Sequence, residues 1–437
     1  MIGLPRRVER AEPDRAQRPD TAAAGAAAIR VGRVGRFVVT SGDRDVTRYL
    51  LDHLLIPHGR RARVRRAALP WLPRGLRERW LFQQRGALDL TGAGGEASDT
   101  VAGLLRTAAL VVNGTPLEGW RPARWIALVD PASSGRRRAT MFLFRPRGET
   151  PAAVLKVRGP EAAGSPLQAE ADALHRVRSR GGDLAGSVPE PLAHRRWSGG
   201  EALLLRALPG ASAYALMRAR TGGSDLMPRH FEQAGVWLAR FHGRSRAPAP
   251  THAGLTAGER EAATAALAAL VELAGLQSAA ARDAEAALAA ASPPRAAAHG
   301  DFWPHNVLPA PGAALPGVVD WEHYAEDAPR ILDLFDFPFS YGLEYSWRRG
   351  CVERPARAFE KAFLEDTRVA CGVRLYFDRY CVATGLDTAE LRPLLHVYLL
   401  LKAGAARPGT GSASRRPQDF ARFHESLAGS MRPRFLP

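Results

Sequence analysis

Cysteine, lysine and long apolar runs are the scarce features of this chain of 437 residues. Its three cysteines, Cys351, Cys371 and Cys381, include no CxxC pair, so neither a disulfide framework nor a zinc-ligand pattern is available. A reducing cytoplasm is the expected compartment. No stretch reaches the roughly 18 apolar residues that read as a membrane-spanning helix. Glu9, Asp14 and Asp20 stand where a secretory leader would be cationic, so no export signal is expected in the first thirty positions. No internal repeat is visible. With 46% hydrophobic and 24% charged residues, the composition is that of an ordinary globular protein and excludes a collagen, a rod or wholesale disorder.

Lysine occurs only at 156, 361 and 402, so 58 of the 61 basic residues are arginine (61 − 3). The net charge of +17 favours anionic ligands. The densest runs, Arg60 to Arg66 and Arg136 to Arg138, lack interleaved aromatics, and an arginine excess beside much Ala, Gly and Pro follows as easily from coding bias. Nucleic acid is therefore not an expected partner.

Residues 1–28 read as a disordered Pro, Arg and Ala tail. Residues 29–120 form an N-terminal extension of unknown fold and unknown partner, with a strand-like RFVVT, a helix-like 45–55 and a glycine break at Gly92, Gly94 and Gly95 that reads as a surface turn. From 121 to 208 the pattern is of short strands joined by turns: WIALV, ATMFLF and AAVLKV, then 191–197 and 202–207, which predicts an antiparallel sheet. One helix interrupts them, and Ser165, Pro166 and Gln168 predict a capping box at its start. From 209 to 437 the pattern is helical, with Phe231, Ala234, Leu238 and Phe241 marking the buried face of a helix over 228–244 and Ala-rich helices over 257–291. The fold class is α+β, two-lobed.

One non-helical island, Ala296 to Asp320, interrupts the helices. Val307-Leu308 and Gly317 to Val319 flank a Pro/Gly turn and should pair as a hairpin, which would bring Asp301 and Asn306 beside Asp320. Two carboxylates and an amide oxygen are hard ligands suited to Mg²⁺, whose coordination is completed by substrate phosphates. Phosphoryl transfer needs such an ion and a carboxylate that orients and deprotonates the attacking hydroxyl. In the preceding lobe Lys156 ends a strand and is the sole lysine before Lys361, while Glu170 shares the apolar face of its helix with Leu167 and Leu174. An inward carboxylate requires a partner.

The motif HGDFWPHN followed by VVDWE resembles the aminoglycoside phosphotransferase and choline kinase family of small-molecule kinases, similar in fold to protein kinases. AGVWLARFH (234–242) resembles the helix preceding the motif there, and the likeness spans roughly 121–410. It implies Asp301 as catalytic base, Asn306 and Asp320 as Mg²⁺ ligands, His299 as organiser of the loop and Asp333 as its brace. It also implies a Lys156–Glu170 pair holding the phosphates of ATP or GTP. The phosphate-covering turn departs from the kinase pattern: Asp130 to Gly135 has no GxGxxG, leaving Ser133, Ser134 and amides near Gly135 as the cradle. Only twelve residues (321–332) separate Asp320 from Asp333, too few for a peptide-docking activation segment. A small-molecule hydroxyl acceptor is expected. Because acidic and aromatic residues interleave after Asp320, one expected acceptor is an amino sugar or amino alcohol held by Glu322 and Trp321, and the alternative is a neutral or anionic acceptor drawn in by the Arg-rich surface. Two other classes stay open: a catalytically silent kinase-like binding module, and a basic protein of nucleic-acid or membrane surfaces.

Overall fold

A computed structural model of the chain describes residues 29–34, 37–40, 44–50, 54, 84–88, 108, 111, 115, 124–129, 138–145, 147–159, 165–197, 200–218, 226–244, 254–312, 314–348, 355–405 and 417–430. The tail 1–28, the Gly92 to Gly95 break and the turn bearing Ser133, Ser134 and Gly135 lie outside the described residues.

The first lobe is an antiparallel sheet with two α-helices among the described residues. Its strands are β1 (Ile29–Val34), β2 (Phe37–Thr40), then, after α1 (Arg44–Tyr49), β3 (Gln84–Leu88), β4 (Trp125–Val129), β5 (Arg138–Phe144) and β6 (Pro151–Arg158). Helix α2 (Pro166–Arg180) precedes β7 (Pro191–Trp197) and β8 (Gly200–Arg206). The spatial order β3-β1-β2-β4-β5-β6-β8-β7 makes one eight-stranded sheet. Strands β1 to β3 come from the block read as an extension, and β2 pairs β4 with Val38 opposite Ala127. The sheet thus runs across the change of sequence pattern near residue 120. Arg124 secures the junction with an ion pair to Asp45 at 3.0 Å.

Strand alternation divides the two faces of this sheet. Met141, Leu143, Ala153, Leu155 and Leu204 bury one face with Trp125 and Ala108, while Leu203 and Leu205 pack with Leu167 and Leu174 of α2 on the other. Lys156, adjacent to Leu155, therefore belongs to the face turned toward α2. The capping box expected at α2 is not formed. Ser165 donates its hydroxyl to Glu201 of β8, the Leu167 amide donates to the same carboxylate at 3.0 Å, and Gln168 turns to Asp172. A buried carboxylate from the neighbouring strand takes the cap's place, a long-range partner that a local pattern cannot register.

The second lobe is helical. It comprises α3 (Ala213–Arg218), α4 (Met227–Arg244), α5 (Ala257–Ala274) and α6 (Ser278–Ala290), then the short strands β9 (Arg295–Ala298), β10 (Val307–Leu308), β11 (Gly317–Val318) and β12 (Ala325–Pro329). Helices α7 (Ile331–Arg348), α8 (Pro355–Phe363), α9 (Arg368–Thr384), α10 (Leu391–Ala405) and α11 (Pro417–Ala428) complete it. The Ala-rich helices expected over 257–291 are α5 and α6, parted where Gly275 adopts φ 69° and closes α5 with a left-handed cap. Helix α4 buries Phe231, Trp237, Leu238 and Phe241 and packs against α9. At that crossing a Cβ on Gly372 would lie 2.4 Å from the Phe231 ring, so glycine permits the approach.

Candidate active site

Buried strand β9 delivers the chain into His299 and Gly300. Asp333, in the first turn of α7, accepts the amide hydrogens of both, at 2.6 and 2.9 Å. Burial alone would raise the Asp333 carboxyl, but His242 and His299 beside it hold it below the usual carboxylate range. Gly300 has φ 79°, and a Cβ there would meet the His323 carbonyl oxygen at 2.3 Å, so the turn into Asp301 admits only glycine. His299 Nε2 lies 3.0 Å from the Val319 carbonyl oxygen, and its Nδ1 accepts the Asp301 amide hydrogen at 3.2 Å. That pattern assigns the proton to Nε2 of a neutral ring, and burial pushes the His299 pKa down accordingly. The ring is a brace between two loops.

The loop continues through Asn306, whose amide nitrogen donates to the Asp301 backbone oxygen at 2.9 Å and to its Oδ2 at 3.1 Å. Strands β10 and β11 form the expected hairpin, with Val307 opposite Val318, and the Val319 amide donates to the Asn306 carbonyl at 2.9 Å. Asp320 follows immediately. It is the one non-glycine residue with positive φ (68°) among those described, a conformation that Asp tolerates better than most side chains. Its Oδ1 accepts from Lys156 Nζ at 2.6 Å, and the same ammonium donates to both oxygens of Glu170 at 2.6 and 2.9 Å. Lys156 thus ties Glu170 to Asp320 across the two lobes, and the backbone bond from Val319 to Asn306 sets the Asp301–Asn306 pair alongside.

Electrostatics separates the two aspartates. Burial, then the charges of Asp336 and Asp320, push Asp301 up to about 6. Burial acts on Asp320 in the same direction, but Lys156 and then Arg138 overcome it and hold Asp320 below its ordinary value. Burial would lower Lys156, and Glu170 with Asp320 reverse that, so it stays protonated. One carboxylate is thereby kept ionised, and the other titrates near neutrality.

Two expected contacts sit elsewhere. Trp321 is fully buried, edge-on to His299 at 4.6 Å and to Phe241 at 5.5 Å, with its indole N–H donated to the Val318 oxygen at 3.0 Å. Glu322 is held by Arg138 at 3.1 Å and by Arg158. Residues 325–329 are engaged as strand β12, paired with β9. Sequence reasoning missed both arginines. The signal for Arg158 was its position two residues after Lys156 on a strand, which puts both on one face. It also missed the buried Asp336, held by Lys402 at 2.7 Å and by the Tyr398 hydroxyl at 2.8 Å; the rarity of lysine was the available clue.

Among the described residues no group of three or more His, Cys, Asp or Glu side chains is placed to hold a metal ion. The donor set present, the Asp320 carboxylate and the Asn306 amide oxygen, suits Mg²⁺, which uses few protein ligands together with phosphate oxygens and water.

Residues 129–372 match the family model described as a phosphotransferase enzyme family. The chain belongs to that family. It is accordingly a small-molecule phosphotransferase. Solved structures similar to this phosphotransferase include an aminoglycoside-3'-phosphotransferase of type VIII, 20% identical over 64% of this chain and 93% of that one, with a TM-score of 0.39. The macrolide 2'-phosphotransferase of Brachybacterium faecium is 16% identical over 74% and 97%, TM-score 0.39. An ethanolamine kinase of Plasmodium vivax is 9% identical over 78% and 92%, TM-score 0.44. No curated protein matches the chain. Among the described residues no helix is long and apolar enough to cross a membrane.

Proposed function

We propose that this phosphotransferase moves the γ-phosphoryl group of ATP, or of GTP, to a hydroxyl group of a small molecule, with Asp301 as the catalytic base. The observation that carries the reading is that the β10–β11 hairpin sets the hydrogen-bonded Asp301–Asn306 pair beside Asp320, which is itself tied to the Lys156–Glu170 pair. Mg²⁺, held by Asp320 and Asn306, would supply charge neutralisation on the transferring phosphates. Lys156 holds phosphate oxygens as a compact point charge, and Glu170, fully buried, fixes the ammonium's position. Asp301 orients the acceptor hydroxyl and takes its proton as the new P–O bond forms. A base with a pKa of about 6 is ionised at neutral pH yet basic enough to share that proton. His299 and Asp333 hold the loop without touching substrate.

Against a protein substrate stand the short connection from Asp320 to Asp333 and its use as β12, which leaves no free segment to dock a peptide. The expected contacts for an amine on the acceptor are Trp321 and Glu322. With one buried and the other paired to arginines, the hydroxyl is the part of the acceptor that the geometry supports. Incubating the purified chain with ATP, Mg²⁺ and a panel of amino sugars, amino alcohols and nucleosides, with mass detection of a phosphate adduct, tests the reading. Nucleotide binding without transfer to any acceptor would favour the silent binding module instead.

A further inference from the structure

The sheet face that carries Lys156 carries two arginines for which the reaction above has no use. Strands β5 and β6 pair so that Thr140 stands opposite Lys156 and Arg138 opposite Arg158. Both β6 cations reach across to the segment after β11: Lys156 to Asp320 at 2.6 Å, Arg158 to Glu322. Arg138 donates to Glu322 Oε1 at 3.1 Å and stands 4.0 Å from Asp320 Oδ1. Three cations therefore face three carboxylates, Glu170, Asp320 and Glu322. Arg158 is the unsatisfied member. Its side chain is 19% exposed, and its Nε–H is buried without an acceptor. A buried idle donor is unfavourable, and the planar fork it belongs to matches phosphate oxygens two at a time.

We propose, resting on the nucleotide-dependent reading above, that Arg158 and Arg138 bind the terminal phosphates and that Glu322 is a stand-in anion holding the pair until phosphates arrive. The sequence supplies the reason. The turn before β5 reads Asp130-Pro131-Ala132-Ser133-Ser134-Gly135, without the GxGxxG pattern that covers the phosphates in protein kinases. Cations on the two adjoining strands, flanking Lys156, provide the positive charge that such a cradle would otherwise give. A carboxylate already on those guanidinium groups competes with the incoming phosphates, so removing it and removing an arginine must have opposite effects. A purely structural ion pair between the lobes would not produce that opposition, and neither would a Glu322 that contacts the acceptor.

The test is calorimetric titration of the full chain with inorganic tripolyphosphate, and separately with ADP, in a chelating buffer free of divalent metal. Glu322→Gln, which keeps the side-chain shape, should tighten tripolyphosphate binding several-fold. Arg158→Ala should weaken it by roughly tenfold or more, the usual weight of hydrogen bonds to a charged group. Adding Glu322→Gln to the Arg138→Ala, Arg158→Ala double variant should give no gain. Arg158→Gln, compared with wild type by thermal unfolding, controls for loss of folding, and it too should weaken binding. If Glu322→Gln binds tripolyphosphate no better than wild type, or neither binds it, the stand-in role is overturned. Mg²⁺-ATP binding lost in Lys156→Met but unchanged in Arg158→Ala would overturn the arginine assignment while leaving the phosphotransfer reading intact. A wild-type chain that binds no nucleotide with Mg²⁺ present would overturn both.

Discussion

Asp301→Asn should make the protein more stable while removing its activity, and the size of the gain follows from the site. Burial and the charges of Asp336 and Asp320 raise the Asp301 carboxyl from its ordinary 3.8 to about 6. The folded state therefore binds this proton more tightly than the unfolded chain does. The ionised carboxylate is an unfavourable element that grows as pH rises from about 4 to about 6 and is constant above. A tenfold difference in proton affinity between the folded and unfolded chain is worth about 1.4 kcal/mol, so the cost reaches roughly 3 kcal/mol at pH 8 and about half of that at pH 5. Asparagine keeps an oxygen for the Asn306 amide, which now donates to Oδ2 at 3.1 Å, but carries no charge. For a chain of 437 residues the unfolding entropy is about 0.9 kcal/mol per kelvin, so the variant should melt about 3 °C higher at pH 8, with a smaller gain at pH 5. Thermal unfolding of both proteins in metal-free buffer from pH 5 to 8 measures this. Phosphoryl transfer by the variant should fall by a factor on the order of 10² to 10⁴, and wild-type kcat/KM should decline as pH drops through about 6. A difference in Tm that is flat with pH would refute the raised pKa. Transfer retained at pH 8 would refute the role as base.

Lys156→Met leaves Glu170 fully buried without its counter-charge and should lower stability by about 3 to 5 kcal/mol as well as nucleotide affinity. Glu170→Gln should do less, and a double-mutant cycle showing no coupling in the nucleotide Kd would dissolve the pair. Asp320→Ala should abolish the Mg²⁺ dependence of nucleotide binding, and a calorimetric Mg²⁺ response matching wild type would exclude the ligand role. Gly300→Ala places a Cβ 2.3 Å from the His323 carbonyl oxygen at φ 79°. The strain alone should cost about 1 to 3 kcal/mol, read as a lower Tm with transfer reduced, and a variant matching wild type in both would show that the turn is not fixed.

The loop was legible because its residues are determined locally. HGDFWPHN closes on itself through the Asn306–Asp301 bonds, and the hairpin that brings Asp320 alongside is short enough to be read from Val307-Leu308 and Gly317-Val318. Lys156 stood out because lysine is rare, and Glu170 because an inward carboxylate demands a partner. Features set by distant segments were not legible. Glu201 displaces the capping box of α2 from more than thirty residues away, and β2 joins β4 across the long segment between them. Neither pairing leaves a trace in local periodicity.

The acidic and aromatic stretch after the Asp301 loop shows the same limit from the side of charge. As composition, Asp320, Glu322, Glu326, Asp327, Asp336 and Glu344 look like a basin for a cationic acceptor. In the fold each already faces a cation: Lys156 for Asp320, Arg138 and Arg158 for Glu322, Arg176 and Arg180 for Glu326, Arg295 for Asp327, Lys402 for Asp336 and Arg218 for Glu344. The interleaved rings of Trp321, Phe335, Phe337, Phe339 and Tyr341 are buried and make core contacts. Charges count toward ligand recognition only where pairing leaves them available, and a chain with 61 basic residues has cations enough to take up these carboxylates internally. What distinguishes Asp301 is that its bonded side-chain partner is a neutral amide, and that the like charges of Asp336 and Asp320 outweigh the opposing influence of His323 and Lys402. A carboxylate bonded to no cation, beside carboxylates that are each ion-paired, fits the proton-accepting role proposed for Asp301.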